Sequence, residues 1–169
     1  CIRDRSCINE AYFKTLKVNL KKEFGSSKVD LICGGPPCQG FSGIGIRRSY
    51  SVDKKQLPSN HLYQDMAYFV YQLQPKIFLF ENVAALLRAK WTSTGAKGEI
   101  FTDVLSTFQS IKGYEVRWKL LYSKDYGVPQ NRPRVILVGV KKNVFDPLTE
   151  DEDAVDAGFL PKAQGGYPH

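Results

Sequence analysis

Two short apolar runs, "KVDLICGG" and "KIFLFENV", constrain most strongly what this chain can fold into. Each has the length of a strand, is apolar, and follows a segment with helical periodicity. Ahead of the first, Ile8, Tyr12, Leu16, Leu20 and Phe24 recur at every fourth residue with lysines between them. That spacing predicts an amphipathic helix packed on one face and closed by Gly25-Ser26-Ser27. Ahead of the second, "HLYQDMAYFVYQLQP" carries Leu62, Met66, Phe69, Val70 and Leu73 and stops at Pro75. A third helix is predicted over "EIFTDVLSTFQSIKG", ended by Gly113. "YEVRWKLLYS" then alternates like a half-buried strand, and "RVILVGV" reads as a fully buried one. Helix, strand, helix, strand, helix and two successive strands predict an α/β fold, its sheet mostly parallel and ending in an antiparallel hairpin.

In sheets of this kind ligands gather outside the carboxyl ends of the strands. Two reactive groups stand there: Cys38, just past the first run in "LICGGPPCQGFSGIG", and Glu81, closing the second. A structural cysteine needs no setting of prolines and glycines, and Cys33, inside the apolar run, is the one expected in the core. The four cysteines, Cys1, Cys7, Cys33 and Cys38, form no CxxC pair, and only His61 and His169 could add imidazole, so no metal site is expected. From Gly34 to about Asn60 the chain has no periodicity; a loop that long in a compact domain is usually functional or disordered. Another loop, "KDYGVPQNRP", brings Arg132, and Arg134 follows it. A net charge of +7 and a pI near 9.2 favour a polyanionic partner such as nucleic acid, and no apolar run is long enough to span a bilayer.

A thiolate is a soft nucleophile, a carboxylic acid can protonate or donate to a ring nitrogen, and arginine can hold a carbonyl oxygen or phosphate. Together they suit addition of sulfur to carbon 6 of a pyrimidine, which activates carbon 5. The motifs that carry these groups resemble, in order and spacing, those of the DNA (cytosine-5)-methyltransferases: "GGPPCQGFSG", then "ENV", then "QNRPR" within "KDYGVPQNRPRVILVGV". The resemblance runs from about Val29 to Val140 and implies a Rossmann-like methyltransferase sheet, incomplete at the N-terminus, with S-adenosylmethionine as methyl donor. It implies that Cys38 is the nucleophile, that Glu81 engages the ring at N3 and the exocyclic amine, and that Arg134 lies near the cytosine carbonyl oxygen, with Arg132 supporting the closed site. By the same resemblance Pro37, Leu62 and Ile2 border the cofactor, and Gln39 and Ser42 meet double-stranded DNA. Arg47 and Arg48 are either phosphate contacts or a solvated loop.

The family's glycine-rich F-x-G-x-G turn and the acidic residue for the cofactor ribose do not occur in these 169 residues, and Cys1 stands where an aspartate is usual. The target-recognition domain is also lacking. Residues 1–142 are therefore expected to be a partial catalytic domain and 143–169 a linker or the start of a recognition region. An N-terminal cofactor-binding segment and a C-terminal recognition domain are expected on the same or a separate chain. The isolated chain is expected to be inactive. The expected setting is the bacterial cytoplasm, with a part in restriction-modification, or the nucleus if the source is eukaryotic. A tRNA-directed relative and an inactive DNA-binding subunit are the alternatives.

Overall fold

The structure is a computed structural model and describes residues 8–37, 58–145 and 163. Helix α1 (Glu10–Phe24) begins at Asn9, whose side-chain oxygen accepts the Tyr12 N–H at 3.0 Å, and ends at Gly25 with φ of 72°. This is the expected N-cap and left-handed glycine stop. Strand β1 (Leu31–Gly34) follows, then α2 (Leu62–Leu73), β2 (Ile77–Val83), α3 (Glu99–Gln109), β3 (Tyr114–Tyr122), β4 (Pro133–Lys141) and the helical turn α4 (Lys142–Phe145). Short 3₁₀ turns occupy Pro58–His61, Ala84–Arg88 and Ser123–Asp125. The expected linker or recognition region, 143–169, falls almost wholly outside the described residues.

The predicted helices and strands are present, but the sheet is not mostly parallel. Its order is β1-β2-β4-β3, and only β1 and β2 pair in parallel. β4 is antiparallel to both β2 and β3, so two of the three pairings are antiparallel. β1, β2 and β3 do run in one direction; the hairpin's returning strand inserts between β2 and β3 instead of adding at the edge. Local hydrophobic pattern sets where a strand lies, whereas neighbour order is settled by long-range packing.

Helices α2 and α3 cover one face of the sheet. Val70, Phe78, Ile100, Phe108 and Leu137 are fully buried there, together with Leu86 from the turn after β2. Burying each such side chain contributes about 1.5–3 kcal/mol. Phe78 stacks on Phe108 with ring centroids 5.2 Å apart, and Gly139 of β4 leaves the room, since a Cβ there would lie 2.0 Å from the Phe78 ring.

Alternation along β1 and β2 sends Ile32, Gly34, Phe78, Phe80 and Asn82 to the helix-covered face and Leu31, Cys33, Ile77, Leu79 and Glu81 to the other. Cys33 is consequently exposed, not a core residue, because β1 pairs on one side only among the described strands and turns Cys33 away from the helices. α1 is likewise less embedded than its periodicity suggests. Of its residues Phe13 alone is buried, set edge-on against Tyr68 and Phe69 of α2, while Phe24 is 77% exposed. No helix among the described residues is long and apolar enough to cross a membrane.

Candidate active site

The carboxyl ends of β1 and β2 lie side by side, with Gly34 opposite Phe80 in parallel register. β1 therefore delivers the turn Gly35-Pro36-Pro37 next to Glu81 and Asn82. Cys38 is the next residue in the chain and lies outside the described residues, as do Gln39, Ser42, Arg47, Arg48 and Ile2.

Glu81 and Arg134 meet directly. Arg134 stands opposite Val83 across the β2–β4 pair, two residues along from Glu81 and on the same face. Its Nε lies 2.6 Å from Glu81 Oε1, a short charge-assisted contact, and its Nη1 donates to the Pro133 carbonyl at 2.8 Å. The Arg134 side chain is 23% exposed and that of Glu81 40%, so the pair is open to a ligand from solvent. Gly35 borders the same carboxylate: a Cβ there would come within 2.9 Å of Glu81 Oε2. Arg132 is not part of this pair. It is exposed in the β3–β4 connection, where its carbonyl accepts from the Ser123 hydroxyl at 3.0 Å.

Pro37 is exposed, and Leu62, the first residue of α2, is half-buried. Pro37 also lines a small pocket, with Pro36, Asn60, Tyr63, Phe80 and Asn82 among others. Asn60 and Asn82 are the buried polar side chains among the described residues. Reading the sequence did not single out either of them, nor Gly35. Nor did it identify the clamp that holds the end of the long loop. There His61 stacks on Trp91, centroids 5.0 Å apart and planes within 9°, while the Trp91 indole N–H donates to Asp103 at 2.5 Å and its backbone N–H donates to Glu99. A lone tryptophan in the polar stretch "RAKWTSTG" was the available signal.

The family model for C-5 cytosine-specific DNA methylase matches residues 8–156. The chain belongs to this family. Among curated relatives, it is 40% identical over 124 residues to the Type II methyltransferase M1.HphI of Haemophilus parahaemolyticus, covering 73% of this chain and 30% of that protein. It is 42% identical over 117 residues to the Type II methyltransferase M.BsuRI of Bacillus subtilis, covering 69% of this chain and 24% of that protein. The matched part of the chain thus spans only 24–30% of the length of these relatives. Among solved structures, it is similar to an E. coli prophage protein assigned as a DNA modification methyltransferase. That match has 29% identity and a TM-score of 0.56, over 84% of this chain and 33% of the other.

Proposed function

We propose that this chain is the catalytic-core part of a DNA cytosine-5 methyltransferase, with residues 1–142 in the catalytic domain and 143–169 leading towards a recognition region. The observation that carries the reading is the Glu81–Arg134 pair at the end of β2, set against the turn that leads straight into Cys38. Carbon 6 of a stacked cytosine is out of reach of a side chain, so the target base must leave the duplex. The Cys38 thiolate then forms a bond from Sγ to carbon 6, and the electron pair displaced from the 5,6 double bond makes carbon 5 nucleophilic. Glu81 donates to N3 and accepts from the exocyclic amine, spreading the charge that develops in the ring. Arg134, already fixed by Glu81, offers its remaining N–H groups to the carbonyl oxygen. After carbon 5 has gained its methyl group, a base takes its proton, the freed electron pair re-forms the 5,6 double bond, and the carbon–sulfur bond breaks to release the Cys38 thiolate.

S-adenosylmethionine, when bound, supplies the electrophilic methyl group. The exposed ring of Pro37 and the half-buried Leu62 fit the flat apolar face of its adenine, and we assign that contact to them and to Ile2. Gln39, Ser42, Arg47 and Arg48 are assigned to DNA, in keeping with the net charge of +7. The Type II methyltransferase relatives support a bacterial, cytoplasmic role in restriction-modification.

The test uses the complete protein and duplex DNA carrying 5-fluorocytosine, which traps the covalent adduct. Wild type is expected to form the adduct and Cys38→Ala none, with DNA affinity retained. Glu81→Gln keeps the shape but not the transferable proton, and is expected to slow methylation about 10²–10⁴-fold. An adduct in the Cys38→Ala protein, or one formed on RNA and not on duplex DNA, would overturn the reading.

A further inference from the structure

Asn82 ties the strand that carries Glu81 to the Pro36 turn, a contact the reaction itself does not require. It is 5% exposed, on the helix-covered face of β2, one residue past Glu81 and on the opposite face of the strand from it. Its Nδ2 donates to the Pro36 carbonyl at 3.1 Å, and its Oδ1 accepts the Val83 N–H at 2.9 Å. The second contact fixes the first. A backbone N–H can only donate, so it selects Oδ1 as its partner and leaves the NH₂ end to face Pro36.

The turn needs such a tie. Proline carries no N–H, so neither Pro36 nor Pro37 can donate a backbone hydrogen bond to the neighbouring strand. Pro37 also keeps Pro36 extended, which carries the chain away from the sheet. Past Gly34 the β1–β2 register ends, and lateral hold on the turn falls to groups that can donate to its carbonyls. Asn82 does this from one face of the sheet while Glu81 borders Gly35 from the other.

We infer that Asn82 is a positioning residue that sets the distance between the Cys38 thiol and the Glu81 carboxylate by holding the Pro36 carbonyl. The inference rests on the functional reading above. Cys38 is two residues beyond the bonded carbonyl, so a shift of the turn is passed to the thiol with nothing between but Pro37. A misplacement of about 1 Å in a reacting group can cost about 10²-fold in rate.

The experiment compares Asn82→Asp and Asn82→Ala with wild type and Cys38→Ala in the complete protein. It measures thermal unfolding, DNA affinity and the single-turnover rate of adduct formation on 5-fluorocytosine DNA across pH. The Asp carboxylate still accepts from Val83 but repels the Pro36 carbonyl; once protonated it can donate to it. Adduct formation in both variants is expected to fall about 10–100-fold at neutral pH with DNA affinity within about twofold of wild type. The ratio of Asn82→Asp to wild type is expected to climb as pH falls, while that of Asn82→Ala stays flat. A purely structural asparagine would give no such separation. Variants reacting at wild-type rate, equal and pH-independent losses in both, losses that track DNA affinity, or two variants that no longer unfold cooperatively would each overturn the positioning role. An inactive Cys38→Ala alongside any of these isolates the failure to Asn82, whereas a Cys38→Ala protein that still forms adduct means the functional reading itself has failed.

Discussion

A methyl group at Gly35 would crowd the Glu81 carboxylate, with 2.9 Å to Oε2 and 3.7 Å to the Glu81 carbonyl. Glu81 is 40% exposed in its side chain and can swing outward, but doing so takes it off the Arg134 Nε. Gly35→Ala is therefore expected to change stability by no more than about 1 kcal/mol and to slow methylation by about tenfold or more. Thermal unfolding and turnover of the complete protein measure the two. Unchanged turnover would mean that the carboxylate does not need its present place. Gly34 makes the contrast, because a Cβ there meets Met66 Sδ at 2.6 Å on the helix-covered face, where a flexible thioether gives way. Glu81 and Arg134 were legible in the sequence because their chemistry is unusual for their places, a carboxylate ending an apolar run and an arginine opening another. Asn82 was not, since its partner Pro36 lies 46 residues away and no local spacing announces a bond of that reach.

Elements were easier to read than their arrangement. A strand or helix shows itself through the period of its apolar residues, whereas β4 finds its place between β2 and β3 through contacts with both at once. Burial misled for the same reason: the "LIC" of β1 looks like core until its position in the sheet leaves Leu31 55% exposed. The start of β3 gives a prediction at this scale. Tyr114 is buried where the strand begins, and its hydroxyl donates to the Pro75 carbonyl at 2.5 Å, joining β3 to the connection between α2 and β2. Burial pushes its hydroxyl up from 10.0 to about 12. The folded state therefore holds this proton more tightly than the unfolded state does. Its stabilising effect is complete below pH 10, and declines as pH rises from about 10 to 12, where the unfolded chain has already released the proton. Tyr114→Phe removes the hydrogen bond, costing about 0.5–1.5 kcal/mol at neutral pH, and removes this titration too. Denaturant unfolding at pH 8 and pH 11 should show the gap between wild type and Tyr114→Phe shrinking at the higher pH. A gap independent of pH would detach Tyr114 from alkaline unfolding.

At the scale of the whole molecule, the described sheet has four strands, and the described residues proposed for the cofactor, Pro37 and Leu62, are both apolar. Nucleotide-binding α/β folds hold their ligand chiefly by a glycine-rich strand-to-helix turn and an acidic group on the ribose. In this chain the glycine-rich run is Gly34 to Gly45, and that stretch already holds Cys38 and the start of the segment assigned to DNA. What Pro37 and Leu62, the described residues proposed for it, offer S-adenosylmethionine is van der Waals contact. Each missing hydrogen bond to a charged or buried group forgoes about 1–3 kcal/mol, and every 1.4 kcal/mol is about tenfold in affinity. The 169 residues alone are accordingly expected to bind S-adenosylmethionine far more weakly than the complete protein and not to methylate DNA. The curated relatives are between two and three times as long, since the 124 residues matched make up 30% of one and the 117 matched make up 24% of the other. Supplying such a protein's N-terminal part, fused or as a second chain, should restore cofactor binding ahead of sequence-specific methylation, which needs a recognition region as well. Titration calorimetry on the isolated chain, then on the completed one, separates these steps. Micromolar binding by the isolated chain would place the cofactor on residues other than Pro37 and Leu62, and would make the described fold a sufficient pocket by itself.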